Sequence, residues 1–85
     1  MEFVITFVST NHAIKAEKLL LENNQNVSVM PLPNQIKAGC GIALRTKIND
    51  IENCREILKF NRIEGFEIFT REEKSGKFFY EKVCE

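Results

Sequence analysis

The stretch Phe3-Val4-Ile5-Thr6-Phe7-Val8-Ser9-Thr10-Asn11 decides the fold, because a strand runs into the start of a helix with almost nothing between them. Phe3 to Val8 alternates aromatic and β-branched residues, which suits a pleated strand. Ser9, Thr10 and Asn11 are three successive N-cap candidates, since each can offer a side-chain oxygen to the first free backbone N–H groups. Beyond them Ala13, Ala16, Leu19 and Leu20 recur at helical spacing, with Lys15, Glu17, Lys18 and Glu22 on the opposite side. Asn23-Asn24 ends this helix, because Asn tolerates the left-handed conformation a helix terminus requires.

The remaining elements follow by the same rules. Val27 to Leu32 reads as a second strand, stopped by Pro31 and Pro33. A loop from Pro33 to Gly41 leads to a third strand, Ile42 to Lys47. Asn49 is positioned to cap a second helix, with Glu52 three residues on in a capping-box arrangement. The stripe of that helix is Ile51, Cys54, Ile57 and Leu58, with Asn61 at its end. Gly65 opens a fourth strand, Phe66 to Arg71, and Arg71-Glu72-Glu73-Lys74 reads as solvated. Lys74-Ser75-Gly76-Lys77 reads as a turn that sends Phe78 to Val83 back as a fifth, edge strand. The order β-α-β-β-α-β predicts an α+β protein of the ferredoxin-like type, with two helices on one face of an antiparallel sheet and an extra C-terminal edge strand. Right-handed crossovers leave few alternatives.

A chain of 85 residues supports one domain, 1–85, with an aromatic C-terminal hairpin from about 74 to 85. Its 12 basic and 12 acidic side chains cancel, and no basic run marks a nucleic-acid surface. Met1 to Val8 lacks the features of a signal peptide, and no apolar run is long enough to span a membrane, so the expected setting is the cytoplasm. Neither a metal-ligand spacing nor a glycine-rich phosphate loop nor a Ser-His-Asp set is present. Phe78-Phe79-Tyr80 is an aromatic edge that either covers the core or joins a second subunit, and a homodimer is the expectation.

Three cysteines, Cys40, Cys54 and Cys84, make neither a disulfide framework nor a zinc pattern. In a reducing compartment they are free thiols. Cys54 lies on a helix's apolar stripe and reads as core; Cys84, beside the C-terminus, reads as exposed and incidental. Cys40 stands between Gly39 and Gly41, between a polar loop and an apolar strand. That setting predicts a displayed thiol which another molecule can approach closely. It is equally the setting of a tight turn with a small residue tucked beneath it.

The expected topology makes the first and third strands antiparallel neighbours, so Val8-Ser9-Thr10 should lie beside Cys40-Gly41. The first helix opens at that end, and its free N–H groups and dipole favour an anion such as a thiolate or persulfide. His12, in the first turn, is placed to donate a hydrogen bond or relay a proton, or simply to face solvent; Ser9 and Thr10 could support the thiol likewise.

Two segments carry a family resemblance. Thr6-Phe7-Val8-Ser9-Thr10-Asn11-His12-Ala13-Ile14-Lys15-Ala16-Glu17-Lys18-Leu19-Leu20 resembles the opening of the Se/S (selenium/sulfur) carrier protein-like family of small bacterial domains. Pro31-Leu32-Pro33-Asn34-Gln35-Ile36-Lys37-Ala38-Gly39-Cys40-Gly41-Ile42-Ala43-Leu44-Arg45 resembles that family's Cys-Gly-containing loop and strand. The similarity extends to about Phe69, and the aromatic segment after Gly76 falls outside it. The resemblance implies that Cys40 is the carrier cysteine. The family usually has small hydroxyl residues before that cysteine, where this chain has Ala38-Gly39, which removes possible donors to a bound persulfide.

The expected function is therefore sulfur or selenium transfer. Cys40 would hold the atom as a persulfide or selenopersulfide, with Ser9, Thr10, His12, Gly39 and Gly41 forming and supporting the loop. No resident cofactor or metal is expected beyond that transient covalent atom. The partners would be a donor such as a cysteine desulfurase and an acceptor protein, and the chain would act as a carrier rather than a turnover enzyme. The alternative is a binding or regulatory module in which Cys40 is structural and the helix start binds an anionic metabolite or a protein partner.

Overall fold

The computed structural model describes residues 1–37, 39–47 and 49–83. In chain order the elements are β1 (Glu2–Thr6), α1 (Thr10–Glu22), β2 (Val27–Pro31), β3 (Ile42–Lys47), α2 (Ile51–Phe60), β4 (Glu67–Lys74) and β5 (Lys77–Lys82). The protein is α+β, and the strands form one five-stranded sheet in the order β2-β3-β1-β4-β5, with every neighbouring pair antiparallel. The order differs from that of a four-stranded ferredoxin-like sheet, because β5 pairs with β4 as a fifth strand.

β1 sits at the centre, with Val4 opposite Arg45 and Phe69, and Ile5 opposite Leu44 and Ile68. Successive side chains of a strand point to opposite faces, so β1 feeds two apolar clusters. Phe3, Ile5 and Phe7 pack with Ala13, Ala16 and Leu20 of α1 and with Cys54 and Leu58 of α2. Val4 packs the other way, with Ala43 and with Ile36 from the loop before β3; Met30, Leu32, Phe69 and Tyr80 lie against them. The loop thus covers part of the face that carries no helix. Burial on both faces explains why Phe3, Val4, Ile5 and Phe7 are all apolar, with Thr6 the one polar residue among them, rather than alternating with polar residues.

Local chemistry ends each helix. Ser9 is the N-cap of α1: its backbone is extended and its hydroxyl accepts from the His12 N–H at 3.2 Å. At the far end Asn24 adopts φ 63, while Gln25 N–H bonds the Leu20 carbonyl at 2.9 Å and Asn24 N–H bonds that of Leu21 at 3.1 Å. This is a Schellman ending with Asn in the left-handed position. α2 ends the same way around Arg62, at φ 59, with Ile63 N–H on the Leu58 carbonyl at 3.0 Å.

Two expectations are corrected here. The N-cap of α2 is Asp50 rather than Asn49, and no side-chain cap bond forms, so the expected capping box is absent. The start has moved one residue along, which puts Glu52 out of capping-box position; instead its carboxylate accepts from Arg55 at 3.2 Å. Arg71 to Lys74 is not a solvated turn but the second half of β4. Arg71 pairs with Glu2, donates through Nε to the Tyr80 hydroxyl at 3.3 Å and lies 3.9 Å from the centre of the Phe78 ring. Neighbours on β1 and β5 that the local sequence does not show draw the residue into the sheet. The turn itself is Ser75-Gly76, with φ 52 and 78, as a two-residue hairpin of the I′ kind needs.

Candidate functional site

Three connections meet beyond the end of β1. The first is the β1–α1 junction, Phe7 to Ser9. The second is the loop before β3, which leaves the Ile36 side of the sheet and reaches Cys40 on the helical side. It crosses against Val8: a Cβ on Gly39 would lie 2.8 Å from the Val8 carbonyl carbon and closer still to its oxygen, so only glycine fits. The third is the α2–β4 junction, where Gly65 has φ 76 and a Cβ would lie 2.7 Å from Val8 Cγ1. Val8 is therefore held between two glycines, a role sequence reasoning missed. The available signal was a glycine in each of two loops that strand pairing brings to the same end of the sheet.

The expected nearness of Val8 to the cysteine loop is observed at Gly39. The expected display of Cys40 is not. Cys40 is 8% exposed, belongs to the core cluster between sheet and helices, and its Sγ donates to the Ile42 carbonyl at 3.2 Å. The physical reason is the crossing at Val8. Once Gly39 passes the end of β1, the next side chain points inward, and a small apolar thiol suits that place. Gly39 and Gly41 themselves stay exposed, and the space beside the Gly41 Cα is open, so the backbone around the sulfur is accessible even though the sulfur is not.

The supporting residues divide. The Ser9 hydroxyl is engaged as the helix cap. Thr10 is exposed in the first turn. His12 is half-buried, and its Nδ1 is enclosed without a hydrogen-bond partner. Among the described residues no hydrogen bond joins Cys40 to Ser9, Thr10 or His12; the Ile42 carbonyl takes that role. Cys54 is fully buried on α2. Burial pushes its thiol above the ordinary 9.0; the neighbouring Thr46 hydroxyl works against that rise and the nearby charge of Asp50 adds to it. Such a thiol is inert, as its place on the apolar stripe suggested. Ala38 and Cys84, on which the expectations about the pre-cysteine residues and the exposed third thiol fall, lie outside the described residues.

A surface cleft of about 630 Å³ opens on the other face, where Met30, Pro33 and Gln35 meet β5, and Cys40 does not line it. Among the described residues no helix is long and apolar enough to cross a membrane.

A domain of this architecture, with a free thiol at the end of its central strand, is a small α+β protein built around a cysteine loop. The chain belongs to the family described as Putative Se/S carrier protein-like, whose model matches residues 2–70 and so takes in every element up to the first half of β4. No curated protein and no solved structure matches the chain.

Proposed function

We propose that the protein carries sulfur or selenium on Cys40 and passes it to an acceptor protein. Membership of the carrier family is the observation that supports this most, and the loop chemistry supports Cys40 as the carrier atom. Cys54 is the other thiol in the described residues, and it is locked in the core with its ionisation suppressed. Cys40 lies at the rim, tethered by one weak S–H···O bond between two exposed residues, so a small movement of Gly39-Cys40-Gly41 uncovers it.

Each step is a thiol exchange. The Cys40 thiolate attacks the outer sulfur of a donor persulfide; the new S–S bond forms as the donor's S–S bond breaks, and the donor leaves as a thiolate. Release is the reverse, with an acceptor thiolate attacking the outer sulfur and Cys40 leaving. No external oxidant or reductant enters, and the chain is a carrier rather than a turnover enzyme. A cysteine desulfurase is the proposed donor, and the proposed setting is cytoplasmic. Burial suits this role, because a persulfide tucked against the core is shielded from stray thiols. Thr10 and the enclosed His12 Nδ1, at the same end of the sheet, are the proposed supporting groups for the anionic cargo. The fold we read for it is ferredoxin-like with β5 added, supported by the placement of β3 between β1 and β2.

The second reading, a binding module with a structural Cys40, is favoured by the burial of that side chain and its bond to Ile42. Incubation with a cysteine desulfurase and isotopically labelled cysteine, followed by intact-mass and peptide mapping, separates the two. The carrier gains one labelled sulfur on Cys40, and Cys40→Ser gains none. Equal labelling of Cys40→Ser, or native alkylation of Cys40 as slow as that of Cys54, assigns the chain to the module.

A further inference from the structure

The sheet has two edges, and they differ. β2 is a strand of five residues ending in Pro31, which cannot donate a ladder hydrogen bond. β5, Lys77-Phe78-Phe79-Tyr80-Glu81-Lys82, has no proline, pairs with β4 along its length, and has no strand on its outer side among the described residues. It exposes Phe79 at 53% and Phe78 at 38%. It also lies outside residues 2–70, which the family model matches.

Hydrogen-bond parity limits what can pair with this edge. The Val83 N–H bonds the Ile68 carbonyl at 2.8 Å, and the two-residue hairpin makes Lys74 and Lys77 a bonded pair. The odd-numbered residues of β5 therefore spend their backbone groups on β4, and Phe78, Tyr80 and Lys82 direct theirs outward. An added antiparallel strand must match bonded residues with bonded residues. A second β5 can do this about a two-fold axis at Phe79. Phe78 then faces the partner's Tyr80, Phe79 faces the partner's Phe79, and Lys77 faces the partner's Glu81. Aromatic meets aromatic and each lysine meets a glutamate, at both symmetry-related positions. Sliding two residues toward the C-terminus places Phe79 opposite Glu81 and Phe78 opposite Lys82. Sliding two the other way places Phe79 opposite Lys77 and Tyr80 opposite Gly76. The first slide keeps only Tyr80 on Tyr80 and the second only Phe78 on Phe78, so either loses both ion pairs and leaves one aromatic match in place of three.

We propose that β5 is a self-association edge through which two copies of this chain join their sheets in the register that places Phe79 against itself. Pairing covers the exposed Phe79 and extends the Phe78–Tyr80 side of the sheet into the second copy. Gln35 Nε2 donates to the Phe78 carbonyl at that edge at 3.5 Å, the long limit of a hydrogen bond. That carbonyl has a second lone pair for the N–H of the partner's Tyr80.

Sedimentation equilibrium across a concentration series tests the register as well as the association. The expected mass rises from the 9.8 kDa chain to twice that value and no further. Lys77→Glu and Glu81→Lys each set like charges against each other at two positions, so each raises the dissociation constant at least about tenfold. The double variant re-pairs the charges in reverse and returns to within about threefold of the original. Both side chains are exposed, and circular dichroism matching the parent establishes that each variant is folded. A mass that stays at the single-chain value up to about millimolar concentration overturns the proposal, as do assemblies beyond two copies. A double variant as weak as the single ones also overturns it, because the register would then be wrong.

Discussion

Gly39 controls where the sulfur of Cys40 points. The backbone at Gly39 lies so close to the Val8 carbonyl that an added methyl group would collide with main chain, which cannot swing aside as a side chain can. Gly39→Ala should therefore push the loop off the end of β1, costing ~1–3 kcal/mol of stability. It should also loosen the Cys40 bond to the Ile42 carbonyl, so that Cys40 is alkylated faster in the native protein. Urea unfolding and a timed alkylation assay read the two effects, and an alanine variant as stable as the parent would contradict the close crossing. The glycines around Cys40 were visible in the sequence, where they fitted a displayed thiol and a tucked turn residue equally. Their role is to let the chain pass a backbone carbonyl from a distant segment, and no local pattern records such an approach.

Among the elements, the helix endings show how far local rules extend. Both helices finish in a Schellman arrangement, and the apolar contact that accompanies it is supplied in α2 by Leu58 and Ile63, both in the core. The left-handed position is held by Asn24 after α1, a residue that tolerates it, but by Arg62 after α2, a residue that does not. Arg62 is exposed, so Arg62→Gly removes the steric cost without opening a cavity and should stabilise the protein by ~0.5–1 kcal/mol. A thermal midpoint at or below that of the parent would argue against the left-handed assignment. Asn23-Asn24 was readable as a stop because its chemistry is local. Asn61 was likewise legible as the end of α2, but the left-handed Arg62 after it was not, because the bonds that secure it depend on Leu58 and Ile63 both being drawn into the core. The start of α2 was misplaced by one residue for a similar reason: Asn49 and Asp50 are both good caps, and pattern alone does not choose between them.

For the molecule as a whole, the core between helices and sheet includes an ionisable group whose titration reports on global stability. Burial keeps the Cys54 thiol neutral in the folded protein above its ordinary 9.0. In the unfolded chain that thiol ionises freely. Above about pH 9 the unfolded state therefore loses a proton that the folded state retains, and stability falls as pH rises. Below that pH the contribution is fully present. In Cys54→Ala this slope is absent, so the stability gap between parent and variant should narrow from about pH 8 to about pH 10. Denaturant titrations at several pH values measure it, and a gap that stays constant would mean that Cys54 ionises as readily folded as unfolded.

The sequence by itself determined the run of strands and helices, an N-cap for α1 among Ser9, Thr10 and Asn11, the Ser75-Gly76 hairpin and the helix-stripe place of Cys54. These depend on periodicity and capping within a few residues, where side-chain chemistry and backbone geometry are directly coupled. It also brought the cysteine loop to the end of β1, since strand order constrains which ends meet. Only the tertiary structure decided that Cys40 is tucked inward, that Val8 sits between Gly39 and Gly65, that Ile36 closes the face without helices, and that Arg71 belongs to the sheet. Each of those outcomes rests on contacts between segments far apart in the chain, and the direction a loop side chain takes is fixed by what it must pass on the way.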